Sequence, residues 1–344
     1  MLIEIDAPAS LPLGLIQLES EAGLKTCLLG VTLQHPPVNL FAQAYPGGFK
    51  MTGARADVAY EQGERFLQYH QLERRAEVEI ELAIPSLVGL GSEPMLGLSM
   101  AQALAWLNNL PLDNTLALAQ ALGLKPQNVL EVWGFAQGGL LLVDVSGAAH
   151  FESASHLITP PLHRHEIAHP EKEAWAFVLL LPRIPPDTPE TLEADRLEAL
   201  LKAAPHLSAD TGFVVTTELW AALANDDLPA FARSLMAIQQ LNQEALTKAG
   251  TPLDYSPAEQ VIFEIMHKNG ALAWGRSATG LALYGLVKGA RASVELRHKL
   301  RHHVGIFGGR VMASITANTG ASYDVRDYSL DDNKFKPLRV RTQA

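Results

Sequence analysis

The chain of 344 residues carries 37 acidic and 27 basic side chains, a formal net charge of −10, and is 48% hydrophobic and 19% charged. That balance fits a globular protein of one large or two medium domains, and it leaves no excess of Lys and Arg to neutralise nucleic-acid or membrane phosphates. The single cysteine, Cys27, excludes an intramolecular disulfide and a cysteine-built zinc cluster.

The N-terminus, Met1-Leu2-Ile3-Glu4-Ile5-Asp6, alternates without a basic signal region, and no apolar run is long enough for a bilayer, so a cytoplasmic protein is expected. Strands are predicted around residues 15–18 and 28–33. Residues 45–52, with Gly47-Gly48, suggest a loop, and residues 57–71 an amphipathic helix. Residues 76–84 alternate between Val78, Ile80, Leu82, Ile84 and Glu77, Glu79, Glu81, the pattern of a half-buried strand.

The stretch Pro85-Ser86-Leu87-Val88-Gly89-Leu90-Gly91-Ser92 then leads into an apolar helical run ending near Asn108-Asn109. Ser92 is predicted as the N-cap, with Pro94 in the first turn, where its missing N–H costs nothing. A glycine-rich turn at a helix N-terminus presents unpaired N–H groups and the positive end of the helix dipole, which favours phosphate. Plain turn chemistry accounts for the same glycines. The third glycine of G-x-G-x-x-G is absent, and no G-K-[ST] occurs.

Further on, Asp113 is predicted to cap a helix over residues 115–122. A buried strand over 140–145 contains Asp144, either a site carboxylate or the cap of the turn at Ser146-Gly147. His163, His165 and His169 fit solvated loop histidines better than a zinc site. Residues 174–181 form a strand, followed by the stiff connector Pro182, Pro185-Pro186, Pro189 and a largely helical second half with helices over 192–204, 216–224 and 228–249. Ser256-Pro257-Ala258-Glu259 is a capping box. Residues 274–280 make a second small-residue turn, and the basic run 291–303 suggests a solvated helix face. A strand is expected over 310–316, and a disordered polar tail beyond Tyr323.

Three spaced segments, residues 7–14, 85–92 and 270–280, resemble the motifs of the GHMP kinase superfamily, small-molecule kinases of the galactokinase and mevalonate kinase type. Within it, the chain is most similar to the beta-ribofuranosylaminobenzene 5'-phosphate synthase family. That similarity is carried by residues 8–18, by Gly89-Leu90-Gly91-Ser92 with its helix, by Phe135-Ala136-Gln137-Gly138-Gly139 with Asp144, and by Gly275-Arg276-Ser277 to Tyr284-Gly285. The resemblance implies a two-domain α+β GHMP-kinase-like fold: a strand-rich N-terminal domain (1–155) with a phosphate-loop helix, a helix-rich C-terminal α+β domain (156–330) and a tail (331–344). It implies transfer from phosphoribosyl pyrophosphate to a para-substituted benzoate, with loss of carbon dioxide and pyrophosphate, as in tetrahydromethanopterin biosynthesis and one-carbon metabolism. Mg2+ and a homodimer are the expected cofactor and assembly.

In that scheme Gly89, Leu90, Gly91 and Ser92 cradle the pyrophosphate, Ser92 meets the metal, and Ser277 with Gly280 closes the cradle. Asp144 supplies the carboxylate, and Arg276 holds an anionic end. The partners are then a phosphorylated small molecule and an aromatic acid, with no nucleic acid and no membrane. Three departures from the family pattern all reduce anion binding. Ser10 replaces a basic residue, Glu93-Pro94-Met95 replaces Gly-Thr-Gln, and residues 125–133 lack the family's basic loop. Two alternatives follow: a GHMP-type ATP-dependent kinase, and a catalytically impaired paralogue acting as a binding or partner subunit.

Overall fold

The computed structural model describes residues 1–21, 23–111, 114–149, 158–167, 173–304 and 308–326. Two long antiparallel strands, β1 (Leu2–Ser20) and β2 (Gly23–Ala44), run beside each other for most of their length. The sequence pattern divides them because Pro8, Pro12 and Gly14 interrupt the alternation. Register shifts between Ala7 and Ala9 and between Pro12 and Gly14 absorb those residues without ending the strands. Next comes β3 (Phe49–Gly53), which corrects the loop expected there. It pairs in parallel with β4 (Ala76–Leu82), and α1 (Ala56–Tyr69) is the crossover between them.

The chain continues through α2 (Ser92–Leu107), α3 (Thr115–Ala121), α4 (Val129–Ala136), β5 (Leu140–Asp144), β6 (His163–His165) and β7 (Trp175–Pro182). Asn114 caps α3 by accepting the Leu116 N–H at 2.9 Å, while Asp113 lies outside the described residues. Then follow α5 (Leu192–Ala203), α6 (Ala209–Ala224), α7 (Leu228–Lys248) and α8 (Pro257–Lys268), the last opened by the expected Ser256–Glu259 capping box. The final elements are β8 (Ala273–Arg276), β9 (Leu283–Lys288), α9 (Ala290–Val304), β10 (Gly309–Ile315) and β11 (Ser322–Arg326).

One sheet has the order β11-β1-β2-β4-β3, with β5 on β2 and β6 on β5; the second has the order β10-β7-β9-β8. The first sheet therefore includes His163–His165 and Ser322–Arg326, both beyond residue 155. The disorder expected after Tyr323 is corrected for residues 324–326, which pair with Leu2–Glu4; residues 327–344 lie outside the described set. Helix α2 is buried on nearly every side, which explains why its sequence is apolar throughout and not striped. The largest apolar cluster runs from Ile3 and Leu40 through Met100 to Phe177, Phe231 and Leu286, so both sheets share it, and two smaller clusters lie beside it.

Candidate functional site

The link from β4 into α2 forms the expected glycine turn. Leu87, Gly89 and Gly91 all have positive φ, at 62°, 71° and 72°. The N-cap position belongs to Gly91 in the left-handed conformation and not to Ser92. Ser92 is the buried first residue of α2, and no side chain caps the helix. Glycine suits this cap because an L side chain at that φ is strained and its Cβ would come within 2.7 Å of Glu131 Cγ.

The second small-residue turn packs directly onto this one. The Leu281 N–H donates to the Leu87 carbonyl at 3.1 Å and the Ala282 N–H to the Val88 carbonyl at 2.9 Å. Ser277 Oγ donates to the Gly89 carbonyl at 2.7 Å. A side chain on Gly280 would overlap the Gly89 backbone, so the two turns meet only because both lack a Cβ. The structure thus brings Ser277 and Gly280 to Gly89. Ser10 reaches the same place from β1, its N–H donating to the Leu90 carbonyl at 3.0 Å.

Three charged residues not singled out in the sequence complete the site. Glu193, in the first turn of α5, accepts the Gly89 N–H on its Oε1 at 2.6 Å. Arg196 donates from Nη1 to the Gly280 carbonyl. Glu131, on α4, lies against the Gly91 α-carbon: a Cβ there would come within 2.7 Å of Glu131 Cγ. Glu131 Oε2 is shut off from solvent with no hydrogen-bond partner, as is Ser10 Oγ. Burial, with a smaller push from Glu193, raises the Glu131 carboxyl to about 7. Burial also raises Glu193, reinforced by Glu93 and opposed by its bond to Gly89 and by Arg55 and Arg196. Arg196 is pushed down to about 10, mainly by burial and then by Arg276. Glu93 points outward to Arg55, at 3.4 Å.

Arg276 lies one residue before Ser277. It is buried, donating from Nη1 to Glu259 Oε1 at 3.0 Å and from Nη2 to the Leu253 carbonyl at 2.8 Å, with its guanidinium 5.0 Å from the Tyr255 ring centre. The cavity beside it, lined by Gly14, Gln239, Asn242, Tyr255 and Ser277 among others, has about 40 Å³ of space. That holds a few waters, whereas ligand pockets usually run from roughly 300 Å³ upward. A larger cavity of about 430 Å³ lies between Arg301 and Arg310 and shares no residue with the loop.

Asp144 has other company. Its Oδ1 accepts the Ser146 N–H at 2.9 Å, its Oδ2 pairs with Lys25 at 3.3 Å, and its register partner is Cys27. None of those partners belongs to the glycine turns. Its geometry is that of an acid capping a turn. The sequence overlooked Glu131 and Glu193 because each reads as one more solvated helix acid; only tertiary packing aims them at the loop.

The loop as it stands does not fit a magnesium-bound pyrophosphate or nucleotide phosphate. A carboxylate already holds the Gly89 N–H, and a second buried carboxyl lies under Gly91. Among the described residues, no group of three or more His, Cys, Asp and Glu side chains is arranged to hold a metal; His169 lies outside them. Nor is any helix among them long and apolar enough to cross a membrane.

No protein-family profile and no curated protein matches the chain. Among solved structures, it is similar to homoserine kinase from Cytophaga hutchinsonii, with a TM-score of 0.61 and 15% identity over 94% of this chain and 97% of that one. It is similar to L. major mevalonate kinase, solved with R-mevalonate, at a TM-score of 0.61 and 10% identity over 92% and 96%. Mevalonate diphosphate decarboxylase from Staphylococcus aureus gives a TM-score of 0.61 and 12% identity over 94% and 98%. At such identities the likeness speaks for architecture alone, and that architecture is the GHMP-kinase-like fold.

Proposed function

We propose that this chain is a GHMP-fold binding or partner subunit in which the ancestral phosphate loop has been closed by the protein's own acids. Of the three readings from sequence, the impaired paralogue has the most geometric support. The observation that carries it is the 2.6 Å bond from the Gly89 N–H to the half-buried Glu193 carboxylate, with Glu131 packed against Gly91. A phosphate arriving there would have to displace the Glu193 carboxylate and then lie beside it, and like charges in a partly desolvated site repel. The narrow space beside Arg276 is likewise too small for a benzoate ring.

The test is thermal unfolding with magnesium and either ATP or phosphoribosyl pyrophosphate, since a ligand that binds only the native state raises its stability. The midpoint is expected to stay unchanged with both, and carbon dioxide release from para-aminobenzoate is expected to stay at background. A rise with either ligand overturns the proposal: ATP alone would restore the kinase reading, and phosphoribosyl pyrophosphate the synthase-type transferase.

One observation keeps a phosphate-binding enzyme of the GHMP type, kinase or synthase-type transferase, as the second reading. Arg55 and Arg196 both lie within the electrostatic reach of Glu193, so cations border the loop as well as acids. In that reading Glu193 leaves Gly89, and it, rather than Asp144, is the carboxylate nearest the bound phosphates. Magnesium would be held at Ser92, and the assembly would be a homodimer.

A further inference from the structure

Among the described residues, helix α5 touches both glycine turns through side-chain hydrogen bonds to their backbones. Glu193 and Arg196 are three residues apart, hence on one face of the helix. Glu193 takes the Gly89 N–H, and Arg196 donates to the Gly280 carbonyl. Gly89 and Gly280 are in contact across the seam. The helix follows a connector containing Pro182, Pro185, Pro186 and Pro189, which limits how far its first turn moves independently of β7.

We propose that Glu193 and Arg196 form a two-point latch by which α5 bolts the Gly89 turn to the Gly280 turn, with the Glu193 carboxylate standing in for an anion. The latch deepens the reading above and rests on it in taking the Gly89 turn as the place where an anion would bind. An anionic ligand reaches that N–H only by lifting Glu193 away.

The groups around the carboxylate make the closed state self-consistent. Arg196 sits three residues along on α5, Arg55 lies at the start of α1, and Glu93 lies on α2. Glu131 presents a carboxyl from α4, while Arg276 and Glu259 lie beyond Arg196. With Arg55 and Arg196 within reach, Glu193 has charge partners, whereas an incoming phosphate would meet the displaced Glu193 still nearby. The α2 N-terminus has no side-chain cap, and two buried polar atoms without hydrogen-bond partners belong to residues packed against Gly91, Ser10 Oγ and Glu131 Oε2. Removing the acid should therefore open a working anion site.

The experiment is calorimetric titration of the full chain with inorganic pyrophosphate at fixed ionic strength without magnesium, comparing wild type with Glu193→Ala and Glu193→Gln. Circular dichroism checks that each variant is folded. Glu193→Ala is expected to bind at least tenfold more tightly than wild type, and Glu193→Gln, which keeps an acceptor but loses the charge, to fall between them. Folded Glu193→Ala binding no more tightly than wild type overturns the latch. If Glu193→Ala does not fold, the same criterion applies to Glu193→Gln. Amide exchange over residues 87–90 gives a second readout. It is expected to quicken at least tenfold in Arg196→Gln, and an unchanged rate overturns the Arg196 half. Stabilisation of the wild type by magnesium ATP would overturn the functional reading but not the latch, so the two failures are distinguishable.

Discussion

Asn242 completes the hydrogen bonding of Leu15: its Nδ2 donates to the Leu15 carbonyl at 2.8 Å, and its Oδ1 accepts the Leu15 N–H at 2.9 Å. A side chain on α7 thus replaces a strand neighbour where β1 bends after Gly14. The same amide reaches Ile238 O at 2.7 Å, so every group is satisfied in a buried setting. Asn242→Leu strands both backbone groups and is expected to lower unfolding free energy by about 2–4 kcal/mol. Urea titration reads this directly, and a loss under about 0.5 kcal/mol would mean that the strand bend is held elsewhere.

Gly280→Ala drives a methyl group into the Gly89 backbone, which has no flexible end to yield. The expected cost is about 3 kcal/mol or more. Gly97→Ala on α2 is the matched control, because its added carbon meets only Gln62 and Leu122 side-chain atoms at 3.3–3.5 Å. Its midpoint should stay within about 1 kcal/mol of wild type, helix propensity offsetting the tight fit.

Glu131 sets a pH dependence. Its carboxyl moves from the ordinary 4.5 to about 7 on folding, so between those values the folded chain holds a proton that the unfolded chain has lost. Stability therefore falls as pH rises from about 4.5 through 7, by about 3 kcal/mol in total for a shift of that size. Glu131→Gln should flatten this part of the profile. Urea midpoints measured at intervals from pH 4.5 to 8 would show it, and identical slopes in both proteins would refute the assignment.

Arg276→Lys keeps the charge but not the planar fork that serves Glu259 and the Leu253 carbonyl while lying over Tyr255. One of those partners is left unmet in a buried place, for an expected loss of about 2–4 kcal/mol by chemical denaturation. Asp144→Asn, by contrast, leaves the turn cap possible and removes only a partly exposed pairing with Lys25. Its effect is expected within about 1 kcal/mol.

Much of the architecture was legible in the chain. Periodicity located α7 and β4 closely, unbroken apolar runs marked α2 and β7, and the capping box at Ser256 fixed the start of α8. What escaped was what depends on partners distant in sequence. Strand β1 is buried along most of its length, which erases the alternation that would mark it. Short β3 hides behind Gly47-Gly48. Glu193 lies 104 positions from Gly89, and no local pattern distinguishes it from Glu198, which forms an ordinary surface pair with Lys202. Asp144 looked like a site acid because an apolar strand ends on it, but its neighbours are Lys25 and Ser146.

The last described strand has a consequence for handling the protein. Residues 322–326 clasp residues 2–6, and Tyr323 stands edge-on to Trp106 with ring centres 4.8 Å apart. A variant cut before Ser322 would strip β1 of its outer companion and bare a row of hydrogen-bonding groups beside Ile3 and Ile5. Such an open margin invites recruitment of a neighbouring molecule, so shortened versions are expected to scatter light and elute early from a sizing column while the full chain does not.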